Sequence, residues 1–260
     1  MSAMILAADG GFTPPGPSVF DLPPYAAGIT KPMTLLVLAA VVVGVFFVMS
    51  ARRAAMVPDR LQYSGEMAYG FVRNSIARDV IGSHDFMRFV PYLVTLFFFI
   101  LVNNVFGIVP FLQFPTFSHI GFVYPLALIS WVVYNAVGIG RKGFLGYLKH
   151  QTVPAGVSPV MLILLVPLEF ISNIVVRPIT LSLRLFANMF AGHLVLILFA
   201  VGGEYLLLHS DVLFFKPIGV VSLLLDIALF FLELLVQVLQ AYIFTLLTAN
   251  YISGALAEEH

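Results

Sequence analysis

The residues able to do chemistry in this chain fall into two rows. Glu169, Asn173, Arg177, Thr180, Arg184 and Asn188 follow one another at steps of three or four, with Ser172 beside them. In a helix that spacing puts them on one face. His193 comes nine residues after Arg184, about half a turn round the helix, so it faces the second row or another helix. The second row is Asp226, Glu233, Gln237 and Gln240, also on one face. Almost everything between these residues is Leu, Ile, Val, Phe or Ala.

Arg184 is a fixed charge, because a guanidinium with a pKa above about 12 does not release its proton. No carboxylate lies within a turn of it. A carboxylate on another chain is therefore the expected partner. Beside Arg184 it would stay an anion; moved away into an apolar phase it would have to take up a proton. His193 and Glu233 are titratable and suit proton passage through water. A single membrane histidine more often joins helices, and that plain reading stands for His193 alone. Two polar rows flanking Arg184 favour transport. Arg177, nearer one end, can snorkel and is assigned to structure or to an access path. Its pairing with Glu169 needs a kink at Pro178 or an intervening water.

The elements that position these residues follow from composition. The chain has 260 residues, 60% of them hydrophobic and 10% charged. Mean hydropathy is +1.02. A soluble domain carries about 25% charged residues, so this is an integral membrane protein with an all-α fold. Zero net charge without a basic cluster argues against nucleic acid as a partner. The absence of cysteine excludes disulfides and thiolate chemistry. No cofactor or metal is expected, and no GxxxxGK[ST] phosphate loop occurs.

About five transmembrane helices are expected, at 32–50, 89–109, 120–139, 159–200 and 217–253. An interfacial amphipathic helix is expected at 62–82, where arginines interleave with Tyr63, Met67, Tyr69 and Phe71. An ordinary loop is the alternative there. Residues 1–31 read as an external tail, without the basic start of a signal peptide. Arg52, Arg53, Arg60, Arg73, Arg78 and Arg88 crowd one connection, and Arg141, Lys142 and Lys149 another. Basic connections belong in the cytoplasm, which puts the N-terminus outside and the C-terminus inside.

The last two segments are too long to stand upright. Roughly 42 residues from Pro159 to Ala200 make about 63 Å of helix, against a hydrocarbon core of about 30 Å. They are expected to be long, strongly tilted, and paired as an antiparallel hairpin that offers a face to a partner.

The stretch LSLRLFANMFAGHLVLILF, with LQAYIFTLLTANYISGA near the C-terminus, closely resembles subunit a of the F-type ATP synthase membrane sector. NNVFGIVP and PLEFISNIVVRPI fit as well, and the match runs from the first span to the end. The resemblance implies a stator subunit, non-catalytic for ATP but essential to proton translocation. Its partners would be a ring of c subunits, the peripheral-stalk b subunits and the whole ATP synthase. The transported ion would be the proton. Arg184 matches the family's essential arginine, flanked by Asn188 and Gln240. His193 and Glu233 match a pair lining the outer half-channel; some relatives carry the acid and the base exchanged. Glu169, Ser172, Asn173 and Arg177 would lie toward the cytoplasmic half-channel, and Asn104 on the outer path. The lack of a transit peptide suggests a bacterial plasma membrane, with an organellar inner membrane as the less favoured site. The rival class is an independent ion channel or secondary transporter; the internal repeats common in transporters are absent. A membrane scaffold is a second rival, and the Arg184–Asn188–His193 spacing argues against it.

Overall fold

The structure is a computed structural model that describes residues 12–23, 28–52, 56–109, 112–153, 159–210, 212 and 214–257. Readings that fell on the chain before residue 12, on Arg53, and on the last three residues lie outside this set. Every element described is helical.

Helix α1 (Lys31–Arg52) is apolar almost throughout and leads to α2 (Arg60–Val72). Asp59 starts α2, its side chain accepting from the Arg60 N–H at 2.8 Å. The chain then passes through a π-helical stretch, Arg73–Arg78, into a last turn, α3 (Asp79–Ile81). Gly82, at φ 93°, ends it in a conformation that favours glycine. Helices α4 (Val90–Phe106) and α5 (Ile120–Lys142) follow. The connection after α5 holds α6 (Phe144–Thr152), a helix that the basic character of this stretch concealed.

The long segment begins as α7 (Pro159–Phe170), widens into a π-helical stretch at Ile171–Val176, and continues as α8 (Arg177–Leu208). Helix α9 (Phe215–Leu256) is unbroken over 42 residues. The segment runs past Ala200 to Leu208, farther than polarity alone suggests. Gly202 and Gly203 do not stop it, because Gly203 packs against Gly219 of α9. A Cβ on Gly219 would come within 3.0 Å of the Gly203 carbonyl oxygen. Pro178 is accommodated too. It has no N–H to offer the Ile174 carbonyl, and the indole Nε1 of Trp131 donates to that carbonyl at 2.8 Å.

Four helical runs are long and apolar enough to cross a membrane: Lys31–Arg52, Ile120–Lys142, Met161–Leu208 and Phe215–Leu256. Val90–Phe106 is shorter. Its 17 residues make about 25 Å of helix, just under a hydrocarbon core of about 30 Å. Its inner face nevertheless forms the centre of the core. Leu93, Phe97 and Ile100 pack in one cluster with Leu181, Leu185 and Met189 of α8 and Ala241 and Phe244 of α9.

The bundle has two distinct ends. At one, Arg141 Nη1 donates to Asp85 Oδ2 at 2.9 Å and Lys142 donates to the Ala257 carbonyl. At the other, the His119 ring Nε2 lies 3.1 Å from the Phe20 carbonyl oxygen, and Phe12 packs on Tyr205.

Candidate functional site

Contacts between α8 and α9 step in opposite senses along the two helices. Arg177 lies over Tyr251, Asn188 bonds Gln240, His193 approaches Glu233, Phe199 accepts from Ser222, and Gly203 meets Gly219. The polar residues of both rows are thereby distributed along one seam.

His193 and Glu233 are its most buried ionisable pair. Nδ1 of His193 is 3.0 Å from the Met189 carbonyl oxygen and 3.5 Å from Glu233 Oε1. A ring whose Nδ1–H donates to that carbonyl leaves Nε2 as the acceptor when neutral. Nε2 is buried and without a hydrogen-bond partner among the described residues. Two glycines make the pair possible. A Cβ on Gly192 would fall within 2.0 Å of the Glu233 carboxylate, and one on Gly107 within 2.4 Å of His193 Nε2. Gln237 Nε2 donates to Glu233 Oε1 at 3.3 Å, and Asn104 Nδ2 donates to the Gln237 carbonyl at 2.9 Å. Asn104 thus joins α4 to the pair through the α9 backbone.

One turn from Arg184, Asn188 Nδ2 donates to Gln240 Oε1 at 2.9 Å. Arg184 itself is exposed, and no described residue bonds it or forms an ion pair with it. Thr180 and Asn188 lie one turn to either side of it on this face, with the exposed, apolar Leu183 next to it in sequence.

Glu169, Asn173 and Arg177 meet in a cavity of about 300 Å³ together with His150, Gln151 and Gly254. Asn173 Nδ2 donates to Glu169 Oε2 at 2.9 Å and to the Gln151 carbonyl at 2.6 Å. Arg177 makes no ion pair with Glu169 among the described residues; its guanidinium sits 5.0 Å from the Tyr251 ring centre, a favourable cation–π arrangement. Neither the kink nor the bridging water considered from the sequence is needed to hold it. A second cavity of about 430 Å³ opens near the other end of α8, with His193, Gly107, Lys31 and Asp226 among its lining residues. No described cluster of His, Asp and Glu is arranged to hold a metal ion.

The first row is therefore divided. Glu169, Asn173 and Arg177 serve the smaller cavity, while Arg184 and Asn188 lie beyond the π-helical stretch. Sequence reasoning missed Gly107 and Gly192, whose importance depends on which side chain lies opposite. It also counted Asp226 in its row without giving it a role, and it assigned nothing to His150 or Gln151.

Apolar helices that enclose two cavities near opposite ends of one long helix, each lined in part by ionisable side chains, with an arginine between them, define a multi-pass membrane protein of the ion-transporting class. Residues 33–253 match the family model described as ATP synthase A chain. The chain is 59% identical to the "ATP synthase subunit a" of Nocardioides sp., covering 100% of this chain and 99% of that one. It is 51% identical to the protein of the same name from Pseudarthrobacter chlorophenolicus, with both covered in full. It is 45% identical to that of Parafrankia sp., over 98% of this chain and 88% of the relative. The chain belongs to the F-type ATP synthase subunit a family. These relatives are bacterial, and with the apolar helices they support a multi-pass location in a bacterial plasma membrane.

Proposed function

We propose that this chain is the stator subunit of the ATP synthase membrane sector, providing two offset proton half-channels and the arginine that couples proton flow to rotation. It performs no ATP chemistry itself. Its partners are a ring of c subunits and the peripheral-stalk b subunits. Val90–Phe106 is a fifth span, completed by the turns at its ends. Met161–Leu208 and Phe215–Leu256 form an antiparallel hairpin tilted strongly in the bilayer, since 48 and 42 residues of helix far exceed its thickness. The end holding Arg141, Lys142 and Ala257 is cytoplasmic, consistent with its basic residues, and the N-terminus lies outside.

A proton enters by the larger cavity, reaches the His193–Glu233 pair, and neutralises a carboxylate on the moving ring near Arg184. The neutral group can then travel against lipid, where its anion would be costly. After nearly a full turn it releases the proton toward the cavity of Glu169, Asn173 and Arg177. Arg184 holds the returning anion and bars direct passage between the cavities. Asn188 and Gln240 orient the seam next to it, and Asn104 braces the outer path.

The observation that carries this reading is the exposed Arg184, without a partner among the described residues, placed between two cavities that each hold ionisable side chains. An independent channel would have no reason to turn its central charge outward. The R184A variant is expected to assemble and to lose ATP synthesis driven by a proton gradient. Near-normal synthesis by that variant would overturn the proposal.

A further inference from the structure

The wall of the larger cavity carries three ionisable side chains, each from a different helix: Lys31 of α1, His193 of α8 and Asp226 of α9. The other lining residues, among them Val19, Phe20, Leu22, Ile108 and Phe114, carry no titratable group, although Asp21 stands next to them in the chain. The Nζ of Lys31 lies 5.6 Å from the centre of the Phe114 ring, in the wall of the same cavity. Asp226 has no ion pair among the described residues, and its Oδ1 is buried without a hydrogen-bond partner. Around it Leu224, Leu225 and Ile227 are exposed and apolar. A carboxylate kept for structure would be bonded, because leaving a buried acceptor unpaired costs free energy. Asp226 instead lines the cavity of about 430 Å³ that it shares with His193.

Asp226 also stands in register with the pair below it. It precedes Glu233 by seven residues on the same face of α9, a rise of about 10.5 Å. That is too far for a direct bond, so a proton passing between the two needs intervening water. His193 lines the same cavity from α8, and in the tautomer whose Nδ1–H donates to the Met189 carbonyl its Nε2 is the accepting atom.

We propose that Asp226 is the outer proton-collecting residue, taking protons from the external medium and passing them through the cavity to the His193–Glu233 pair. A hydronium gives its proton to the Asp226 carboxylate and leaves as water. The carboxylic acid then donates to cavity water, a proton arrives at His193 Nε2, and the carboxylate is restored. A collecting group matters most when external protons are scarce, so its loss is felt most at high external pH. The proposal rests on the outer half-channel reading above.

The test uses inverted membrane vesicles carrying the whole complex. The ATP-hydrolysing part is stripped off, and passive proton conduction is followed against the pH of the lumen, which corresponds to the outside. D226N is expected to conduct on the order of tenfold less at alkaline lumenal pH, with the deficit shrinking toward acid pH. D226E is expected to restore the wild-type profile, and D226H to move its midpoint toward neutral pH. Equal conduction by D226N and wild type at every pH overturns the proposal, as does a loss independent of pH that D226E does not rescue. D226S is carried in parallel; if neither D226N nor D226S assembles with the ring, Asp226 is structural and the proposal falls. E233Q separates the two levels. If E233Q blocks conduction while D226N does not, the half-channel stands and the collecting role is lost. If E233Q also conducts normally, both fail.

Discussion

His193 Nδ1 and Glu233 Oε1 lie 3.5 Å apart, brought together from two helices by the absence of side chains at Gly192 and Gly107. Both residues are nearly inaccessible, at 6% and 7% exposure. A buried acid and base at this separation can share a proton once Nδ1 turns from the Met189 carbonyl toward Oε1, which suits them to carrying protons more than to bracing helices.

Replacing either member should therefore slow transport. E233Q and H193A are each expected to lower ATP-driven proton pumping on the order of a hundredfold, the scale of a lost acid–base group. The exchanged double variant, H193E with E233H, restores the acid and the base and should recover much of the rate. Pumping measured in inverted vesicles decides the matter, and a double variant no better than the singles would count against a shared-proton role.

The glycine positions should be as sensitive as the titratable ones. In G192A the new Cβ overlaps the Glu233 carboxylate, and in G107A it overlaps the His193 ring. Overpacking of this kind costs about 1–3 kcal/mol. Both variants should show lower thermal stability and impaired pumping, whereas G44A, where a Cβ meets nothing within 4 Å, should show neither.

Trp131 supports the proline in the long helix. W131F keeps the ring and removes the N–H that reaches the Ile174 carbonyl. Leaving that oxygen unpaired should cost about 1–3 kcal/mol, read as a lower unfolding temperature in detergent. An unchanged unfolding temperature would show that the π-helical stretch satisfies Ile174 by itself.

The contact between Asp85 and Arg141 makes one end of the bundle sensitive to acid. The hydrogen bond from Arg141 holds the Asp85 carboxyl below its ordinary range, more than desolvation raises it. A depressed folded value means that the stabilisation is fully present above the ordinary carboxylate pKa and is lost as pH falls through the folded value. D85N should abolish that part of the pH dependence and leave stability flatter through the acidic window. Thermal unfolding scans at stepped pH compare the two, and parallel curves would show that the contact contributes nothing.

Much of this architecture was legible in the sequence because membrane helices follow hydropathy, and the polar rows stand out against Leu and Phe. The separate facing of His193 came from helical spacing alone. What stayed hidden depended on contacts between distant residues. Gly203 reads as a helix end until Gly219 is placed against it, and Pro178 reads as a possible kink whose missing donor is supplied by Trp131. Helix α6 was obscured because its basic residues signal a connection regardless of its conformation. Asp226 gained meaning only once Lys31, His193 and the turn at residues 112–115 closed a cavity around it.

The π-helical stretch Ile171–Val176 falls between Glu169 and Arg184. A π turn takes in an extra residue, so the helix on either side is indexed to a different angular phase. Shortening the stretch by one residue would turn the Glu169 side by about 100° relative to Arg184. It would leave the seam from Asn188 to Ser222 aligned as it is. The stretch thus works as a phase joint: its length sets whether Glu169 meets Arg177 in the smaller cavity, while the larger cavity keeps its register without it.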